Sequence, residues 1–239
     1  LSVNKQGYVC AVHTVKSHRS SVAVYNPSGI EIFTRNKALR YIVSAKVSAK
    51  ARHVLINTVD AEGFEAVTAL EITDILGNVV SGITMEGEIA PYAWIMEDGS
   101  IISCSTSVVR LYDDDRNQRW EYEFAGITSC IPVSGGYTAV SVIKEKQGLL
   151  RNPPTGVVFI DSKGYQKDFF ETENEIKNLR SYENIIAVNT GRKAVFLNRK
   201  AEVIDQYTSI SDIIDVGFFS KISAVLVTRE HLIVFEMSR

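Results

Sequence analysis

The stretch that decides the fold is Phe159-Ile160-Asp161-Ser162-Lys163-Gly164, where an apolar strand ends at an aspartate and a short turn follows. The pattern recurs at Val24 to Gly29, Ile72 to Gly77, Leu111 to Arg116 and Phe196 to Ala201. Every copy has Asn or Asp at its third position. That side chain can bond to the backbone two residues further on and start a type I turn, and glycine in three copies supplies the positive φ that closes a hairpin. The pattern predicts five β-hairpins.

The spacing of these hairpins predicts a repeat fold. Their last residues fall at positions 29, 77, 116, 164 and 201, and a sixth copy begins at Val234-Phe235-Glu236. Five steps cover the 210 residues from Tyr25 to Phe235, a mean of 42 that is typical of a four-stranded propeller blade. Helical repeats share this period, but short β-branched and aromatic runs between turns favour strands. We therefore expect an all-β propeller of about six four-stranded blades, either six-bladed or part of a seven- or eight-bladed ring completed by upstream residues.

The composition indicates a single soluble array. The chain has 239 residues, of which 45% are hydrophobic and 23% charged, and its net charge is −2. This is enough to bury a sizeable core, and no global basic field draws the chain to nucleic acid. The apolar runs are far shorter than the roughly 20 residues that span a bilayer. We expect one domain over residues 1–239, with repeat units near 1–35, 36–84, 85–125, 126–171, 172–208 and 209–239.

The first and last units lead us to expect an incomplete ring. Val3 to Gly7 aligns with Ile95 to Gly99, which places Leu1 in the innermost strand of the first unit, and there is no initiating Met. The last unit has candidate strands near Ile213 to Phe218, Ile222 to Thr228 and His231 to Phe235, without an outer strand. Because an open sheet edge exposes unpaired backbone groups, we expect a strand from a removed upstream segment to close the ring.

The segments Val3 to Val9 and Val22 to Gly29, with the five hairpins, resemble an uncharacterised bacterial family of membrane-anchored β-propellers. In that family one transmembrane helix precedes an extracytoplasmic propeller. The resemblance implies a propeller on the outer side of the cell membrane, anchored by a removed N-terminal segment; a cytoplasmic location is the alternative. Similarity to WD40 and quinoprotein propellers is more distant, because the Trp-Asp ending is absent and Trp94 and Trp120 do not recur with the glycine spacing of quinone-cofactor repeats.

Residues that could carry catalysis or bind metal are few. The four histidines have no partner at a zinc-like spacing, and the three cysteines lie in apolar strands without a Cys-x-x-Cys pair, which favours ordinary histidines and buried thiols. The run Asp113-Asp114-Asp115 could attract calcium, but Asp113 occupies the turn position, which favours a solvated turn. No Gly-x-Ser-x-Gly elbow or glycine-rich phosphate loop occurs. We expect no catalytic residue, no metal and no cofactor.

Function is expected on the loops of one propeller face. That face should carry Thr14 to Ser20, Asp60 to Gly63, Glu86 to Pro91 and the long insertion Lys144 to Thr155. The insertion contains both cationic residues and two leucines, so that charge could steer the approach of a partner and the leucines could then contact it. The alternative is a solvated loop without a partner, whose leucines fold back onto the blade. The candidate binding residues are Lys16, His18, Arg19, Lys144, Lys146, Leu149, Leu150 and Arg151.

Two classes of function fit this pattern. The favoured one is a non-enzymatic propeller scaffold for protein interaction or ligand sensing on the outer side of a bacterial membrane. Its partner would be a protein or cell-surface ligand, not nucleic acid. The alternative is a carbohydrate-binding or hydrolytic propeller whose site is assembled at the channel mouth from several blades. Carboxylates, histidines or aromatic residues that converge there would favour the alternative.

Overall fold

The fold of the described residues is entirely β. The structure, a computed structural model, describes residues 1–15, 18–37, 40–60, 63–143 and 155–237. These residues form twenty-three strands arranged in six antiparallel sheets. The all-β prediction is confirmed. None of the described residues belongs to a helix long and apolar enough to cross a membrane.

The first three sheets have four strands each, which follow one another in chain order. The first sheet contains β1 (Ser2–Val3), β2 (Val9–Val15), β3 (His18–Tyr25) and β4 (Glu31–Lys37). The second contains β5 (Tyr41–Val47), β6 (His53–Asp60), β7 (Val67–Asp74) and β8 (Val79–Glu86). The third contains β9 (Tyr92–Ile95), β10 (Ile101–Cys104), β11 (Val108–Tyr112) and β12 (Gln118–Glu123).

The next two sheets repeat the plan, and the last has three strands in the described part of the chain. The fourth sheet contains β13 (Gly126–Val133), β14 (Tyr137–Ile143), β15 (Thr155–Ile160) and β16 (Gln166–Thr172). The fifth contains β17 (Asn178–Tyr182), β18 (Ile185–Asn189), β19 (Lys193–Leu197) and β20 (Val203–Thr208). The sixth contains β21 (Ile213–Ser220), β22 (Ser223–Thr228) and β23 (Leu232–Glu236), within two residues of the three strands expected there.

The five recurring hairpins share one turn geometry. At Asp161, for example, the side-chain Oδ1 accepts hydrogen bonds from the N–H groups of Lys163 and Tyr165, both at 2.9 Å. The N–H of Gly164 donates to the backbone carbonyl of Asp161 at 2.9 Å. The last residue of each hairpin has a positive φ, between 60° and 92°, at Gly29, Gly77, Arg116, Gly164 and Ala201. The predicted turns are confirmed.

Apolar residues form cores between consecutive sheets. The chain divides into two compact units, Leu1–Ser105 with Val109–Arg119, and Thr106–Val108 with Trp120–Arg239. In the first unit, one core joins the first two sheets and another joins the second and third. Their buried residues are Cys10, Val22, Val24, Ile42, Ala45, Val47, Val54 and Ile56, and Leu55, Leu70, Ile72, Met85, Ala90, Ala93, Ile101 and Tyr112. In the second unit a core joins the fifth and sixth sheets, with Ile185, Ala187, Ala194, Phe196, Ile213, Val216, Ala224, Leu226 and Met237.

An aromatic residue of one outer strand covers the turn glycine of the next sheet. In the first unit Phe33 of β4 lies against Gly77, and in the second unit Trp120 of β12 lies against Gly164. Both rings come four residues after the positive-φ residue of their own hairpin. Two residues further on, Arg35 donates to the carbonyl of Gly77 at 2.6 Å, and the Tyr122 hydroxyl donates to that of Gly164. The repeat thus carries a recurring contact from outer strand to turn.

An ion cluster reinforces this contact between the first two sheets. Glu71 of β7 pairs with Arg35 and, at 2.7 Å, with the Nζ of Lys37, both on β4. Burial by itself raises the pKa of Glu71. The hydrogen bonds and charges of Lys37 and Arg35 outweigh it, so the pKa of Glu71 lies below its ordinary value. The carboxylate is therefore ionised at neutral pH and holds two cations.

Candidate interaction surface

Most of the binding residues expected from the sequence lie outside the described part of the chain. These are Lys16, Lys144, Lys146, Leu149, Leu150 and Arg151. His18 and Arg19 begin strand β3, so that residues 16–17 alone separate β2 from β3, but the description does not extend to their side chains. A partner site on the Lys144 to Thr155 insertion therefore stays a prediction.

The acidic run has a structural role in the third hairpin. Asp113 accepts a hydrogen bond from the N–H of Asn117 at 2.8 Å and pairs with Arg119 at 2.9 Å. Desolvation raises its pKa, but the bonds from Asn117 and the charge of Arg119 outweigh this and lower the pKa below its ordinary value. Asp113 is thus the turn-forming residue of the hairpin. Among the described residues, no three His, Cys, Asp or Glu side chains are grouped so that they could hold a metal ion.

All three cysteines are buried. Cys10 lies in β2, Cys104 in β10 and Cys130 in β13, and none of the three forms a disulfide. Burial raises the pKa of the Cys10 thiol to about 11, and the weaker opposing influence of a hydrogen bond from Ser2 does not offset it. Because the thiolate is the reactive form, Cys10 is inert at neutral pH.

Three apolar side chains on the second hairpin are exposed to solvent. Leu76 lies in the turn between β7 and β8, and Val79 and Val80 begin β8. Their side chains are 67%, 57% and 56% exposed. Consecutive strand residues point to opposite faces, so a strand that begins Val-Val presents an apolar side chain on each face. Here both remain exposed. We call Leu76, Val79 and Val80 the hairpin patch.

The scaffold beneath the hairpin patch is rigidly built. Asp74 Oδ1 accepts the N–H groups of Leu76 and Asn78 at 2.9 and 2.8 Å, which fixes the turn. A hydrogen bond from the Asn78 side chain, together with these backbone bonds, holds the pKa of Asp74 below its ordinary value. Gly77 is covered by Phe33 of the preceding sheet. The exposed side chains therefore stand on a fixed backbone, and little conformational entropy would be lost when a partner covers them.

The same positions in the third hairpin are polar. The residues two and three places after Gly77 are Val79 and Val80, whereas those after Arg116 are Gln118 and Arg119. Tyr165 and the pair Val203-Ile204 are exposed apolar residues near the corresponding turns of the fourth and fifth sheets. Exposed apolar character here is therefore a property of particular hairpins and not of the turn itself. No motif in the sequence marks this surface, whereas the long loops are visible as insertions between the repeats.

A second feature of the surface is a pocket in the other unit. It has a volume of about 320 Å³ and lies between β17, β21 and β22. Arg180 Nη2 and Asp215 Oδ2 form a 2.8 Å ion pair at its rim, and both side chains are well exposed. An exposed pair of this kind contributes little to stability. Val225 and Val227 form an apolar wall of the pocket.

Solved structures with the same fold are β-propellers. The chain matches KlAtg21 in complex with the coiled-coil of AgAtg16, with a TM-score of 0.76 and 13% identity over 98% of this chain and 79% of that chain. It matches the Neurospora crassa Pan2 WD40 domain, with a TM-score of 0.64 and 12% identity over 98% and 76%. It also matches the Dos1 propeller, with a TM-score of 0.63 and 13% identity over 92% and 64%. The predicted propeller fold is confirmed. At sequence identities this low, the likeness shows a shared fold and not a shared function.

Sequence comparison defines a family for the chain. The profile described as "Family of unknown function (DUF5711)" matches residues 1–235. A search of the curated proteins finds no match to the chain. The family and the fold are therefore established, and neither assigns a function to the chain.

Proposed function

The chain belongs to the DUF5711 family, and we propose that it is a non-enzymatic propeller scaffold that binds a protein partner on the outer side of a bacterial membrane. The observation that carries the proposal is the hairpin patch, in which Leu76, Val79 and Val80 are all more than half exposed on a fixed turn. Val79 and Val80 face opposite sides of β8, so a partner that covers both encloses the end of the hairpin. Several exposed apolar residues within one hairpin mark an interaction surface more strongly than scattered single ones do.

The surroundings of the patch suit a protein partner. Beside its apolar residues, the same turn carries the polar side chains of Asp74 and Asn78, which hydrogen-bond to each other. An apolar centre within a polar rim is the usual anatomy of a protein interface. Propellers of this fold hold proteins elsewhere, since KlAtg21 is seen in complex with the coiled-coil of AgAtg16. We carry over only the class of partner, a polypeptide, and not its identity.

The proposed location rests on the resemblance to membrane-anchored propellers described above. It is tested by adding a protease to intact cells or spheroplasts that carry the complete tagged protein. Degradation without lysis is expected for a propeller on the outer side. Protection that ends only when the membrane is broken would place the propeller in the cytoplasm and overturn this part of the proposal.

The partner site is tested by photo-crosslinking in cells of the source organism. A photoreactive residue replaces Val79 in one variant and Gln118, the equivalent residue of the third hairpin, in the other. We expect a discrete crosslinked species from position 79 that is absent from position 118. In a separate pull-down with the tagged protein, Val79→Lys should abolish capture of the partner, and Gln118→Lys should leave that capture unchanged. Equal capture by the two lysine variants would remove the hairpin patch from the interface.

The insertion from Lys144 to Thr155 is tested in the same assay. Thr155 is the first residue of β15 and is kept, so the expected insertion ends one residue earlier than the sequence suggested. Replacing residues 144–154 with a short glycine-containing turn should leave the strands intact, because loops tolerate such changes at low cost. The proposal predicts that the shortened protein keeps the partner captured through position 79. If the shortened protein loses the partner while Val79→Lys retains it, the insertion is the docking site and the hairpin patch is not.

A further inference from the structure

Strand β8 is the outer strand of the second sheet, and among the described strands only β7 pairs with it. The N–H of Asp74 donates to the C=O of Asn78, so Asp74 directs its backbone groups towards β8. Alternate residues of β7 share this direction, among them Leu70, which lies opposite Ile83. Ile83 therefore directs its backbone groups towards β7, and the residues that alternate with it direct theirs away from the sheet. These outward residues are Gly82, Thr84 and Glu86.

Strand β8 lacks the charged residues that its counterparts carry. No residue from Val79 to Met85 is charged. Charged side chains protect an edge, because a strand that pairs with the edge would have to remove them from water. Each of the outer strands β4, β12, β16 and β20 has at least one charged residue in its interior. These residues are Arg35 in β4, Arg119 and Glu121 in β12, Lys167, Asp168 and Glu171 in β16, and Asp205 in β20.

A β-bulge is another feature that hinders strand pairing at an edge, and it does not distinguish β8. The register of β8 shifts opposite Ile72 and Thr73. The outer strands of the first, fourth and fifth sheets shift at the same place relative to their turns. Beyond its bulge, β8 runs from Ser81 to Glu86 without a further shift. The second sheet therefore ends in a regular edge without charged residues in its interior.

The side of β8 that faces the third sheet is firmly held. Ile83 and Met85 pack into the core between the second and third sheets. The Nε of Arg116 donates to the hydroxyl of Ser81 at 2.9 Å. Because the edge is fixed before a partner arrives, pairing with it would order only the partner's segment.

The hairpin patch lies at the start of this edge. Val79 and Val80 are both more than half exposed. A strand that pairs with an edge has side chains on both faces of the sheet, so it can lie beside both valines at once. A partner surface that rests on one face of β8 would cover only one of them. The two exposed valines and the unpaired backbone groups therefore favour the same occupant, an extended strand.

The other end of β8 is acidic. Glu86 ends the strand, and an added Cβ at Gly87 would lie 3.8 Å from Oε2 of Glu65. Both glutamates are exposed, and neither has an ion-pair partner among the residues that the structure describes. A cationic side chain on the partner would complement this end of the edge.

We propose that an extended segment of the protein partner adds to the second sheet as a fifth strand along β8. The segment has uncharged side chains beside Val79 to Thr84 and a lysine or arginine beside Glu86. Backbone hydrogen bonds to Gly82 and Thr84 hold it, and its contacts with the hairpin patch fix its register. The inference rests on the proposed function, because it specifies how the partner of the hairpin patch binds.

Photo-crosslinking at successive positions of β8 tests the mode of binding. A photoreactive residue replaces Val79, Val80 or Thr84 in the complete tagged protein, in cells of the source organism, and the crosslinked partner residues are identified by mass spectrometry. Positions 80 and 84 span about 13 Å of strand. The partner residues reached from them should lie four apart in a paired strand, but about nine apart in a helix, which rises 1.5 Å per residue. We expect a spacing of four, within a segment whose only charges are cations at the Glu86 end.

The other outcomes separate this inference from the proposed function. Crosslinks from positions 79 and 80 without one from position 84 overturn the added strand and leave the hairpin patch as the partner site. A helical spacing, or an acidic partner segment, has the same meaning. Crosslinks to residues of this chain itself mean that a second copy pairs with β8, which also overturns the proposal. If none of the three positions yields a crosslink, both the inference and the proposed function fail.

Deletion of one backbone N–H tests the pairing without altering a side chain. In one variant the α-hydroxy analogue of threonine replaces Thr84, so that an ester oxygen takes the place of the N–H. The control carries the α-hydroxy analogue of glutamate at Glu123, seven residues after Arg116 as Thr84 is after Gly77. The probe is the segment crosslinked from position 84, made as a synthetic peptide, and its dissociation constant is measured by fluorescence anisotropy.

We expect the peptide to bind the Thr84 variant about fivefold more weakly than the parent protein, the factor that one ordinary hydrogen bond contributes, and the Glu123 control to bind it unchanged. The Thr84 variant should unfold in urea like the parent protein, because the deleted N–H points away from the sheet. An unchanged dissociation constant overturns the proposal. A clear loss of stability in the Thr84 variant does so too, because it would mean that this N–H is paired within the protein.

Discussion

Gly164→Ala tests how the repeat joins an outer strand to the turn of the next sheet. Gly164 has φ +88°, and an added Cβ would lie 2.9 Å from both Cγ and Cδ1 of Trp120. Two costs therefore combine. An L-residue in the left-handed region costs about 1–2 kcal/mol, of which about 0.4–1 kcal/mol is regained from the stiffer unfolded chain. Overpacking against the root of a large ring adds about 1–3 kcal/mol.

Gly29→Ala separates the two costs. Gly29 occupies the same position in the first hairpin, with φ +77°, but an added Cβ would meet nothing within 4 Å. We expect Gly29→Ala to lower the free energy of unfolding by about 1 kcal/mol and Gly164→Ala by about 2–4 kcal/mol. At Ala201, where an alanine already has φ 60°, Ala201→Gly should raise it by about 0.5–1 kcal/mol.

The assay is urea unfolding followed by circular dichroism and tryptophan fluorescence, with coincident transitions required before free energies are compared. A further control places Gly164→Ala in a Trp120→Ala background. There the excess cost over Gly29→Ala should disappear, because the obstructing ring is gone. Equal losses for Gly29→Ala and Gly164→Ala in the native background would refute the contact between Trp120 and the turn.

Three further predictions concern the ion cluster, the fourth sheet and the thiols. Glu71→Gln should lower the free energy of unfolding by about 2 kcal/mol at pH 7, since two partly buried cations lose their counter-charge. The pKa of Glu71 in the folded protein lies below its ordinary value of 4.5. In urea unfolding, the difference between the parent protein and Glu71→Gln should therefore be complete above pH 4.5 and should shrink as the pH falls through the lowered pKa. Gly156→Ala should destabilise by about 3 kcal/mol or more, because its Cβ would collide with the Phe169 ring and the backbone carbonyl of Phe170, whereas Gly82→Ala, with a nearest atom at 3.2 Å, should cost much less in the same assay. At pH 8 a thiol reagent should titrate none of the three cysteines in the native protein and all three after unfolding in guanidinium; rapid reaction of Cys10 in the native state would contradict its burial and raised pKa.

The fold could be predicted from the sequence because its signal is local and repeated. Asn or Asp at the third hairpin position forms its bonds within four residues, so the turns at Asn26 and Asp161 can be recognised without any tertiary contact. The same turn geometry occurs at Asn4, whose Oδ1 accepts hydrogen bonds from the N–H groups of Gln6 and Tyr8. Positive φ at Arg116 and Ala201 follows only from alignment with the glycines of the other copies.

The candidate surface could not be predicted in the same way. Leu76, Val79 and Val80 are residue types that are usually buried in a sheet, and their exposure depends on what packs against them, which no local pattern encodes. The ion cluster at Glu71 joins residues 34 and 36 positions apart and is equally invisible to a scan for motifs. A long insertion can be recognised in the sequence by its length alone, whereas the exposure of a residue at the start of a strand cannot.

The central claim, that the hairpin patch holds a protein partner, is tested most directly by calorimetric titration of the purified protein with the partner identified by crosslinking. Covering a valine side chain is worth about 1.5–3 kcal/mol, so Val79→Lys should weaken the dissociation constant by at least about tenfold. Gln118→Lys, which adds the same charge at the equivalent position of the neighbouring sheet, should leave it unchanged. Equal dissociation constants for the parent protein and Val79→Lys would contradict the claim.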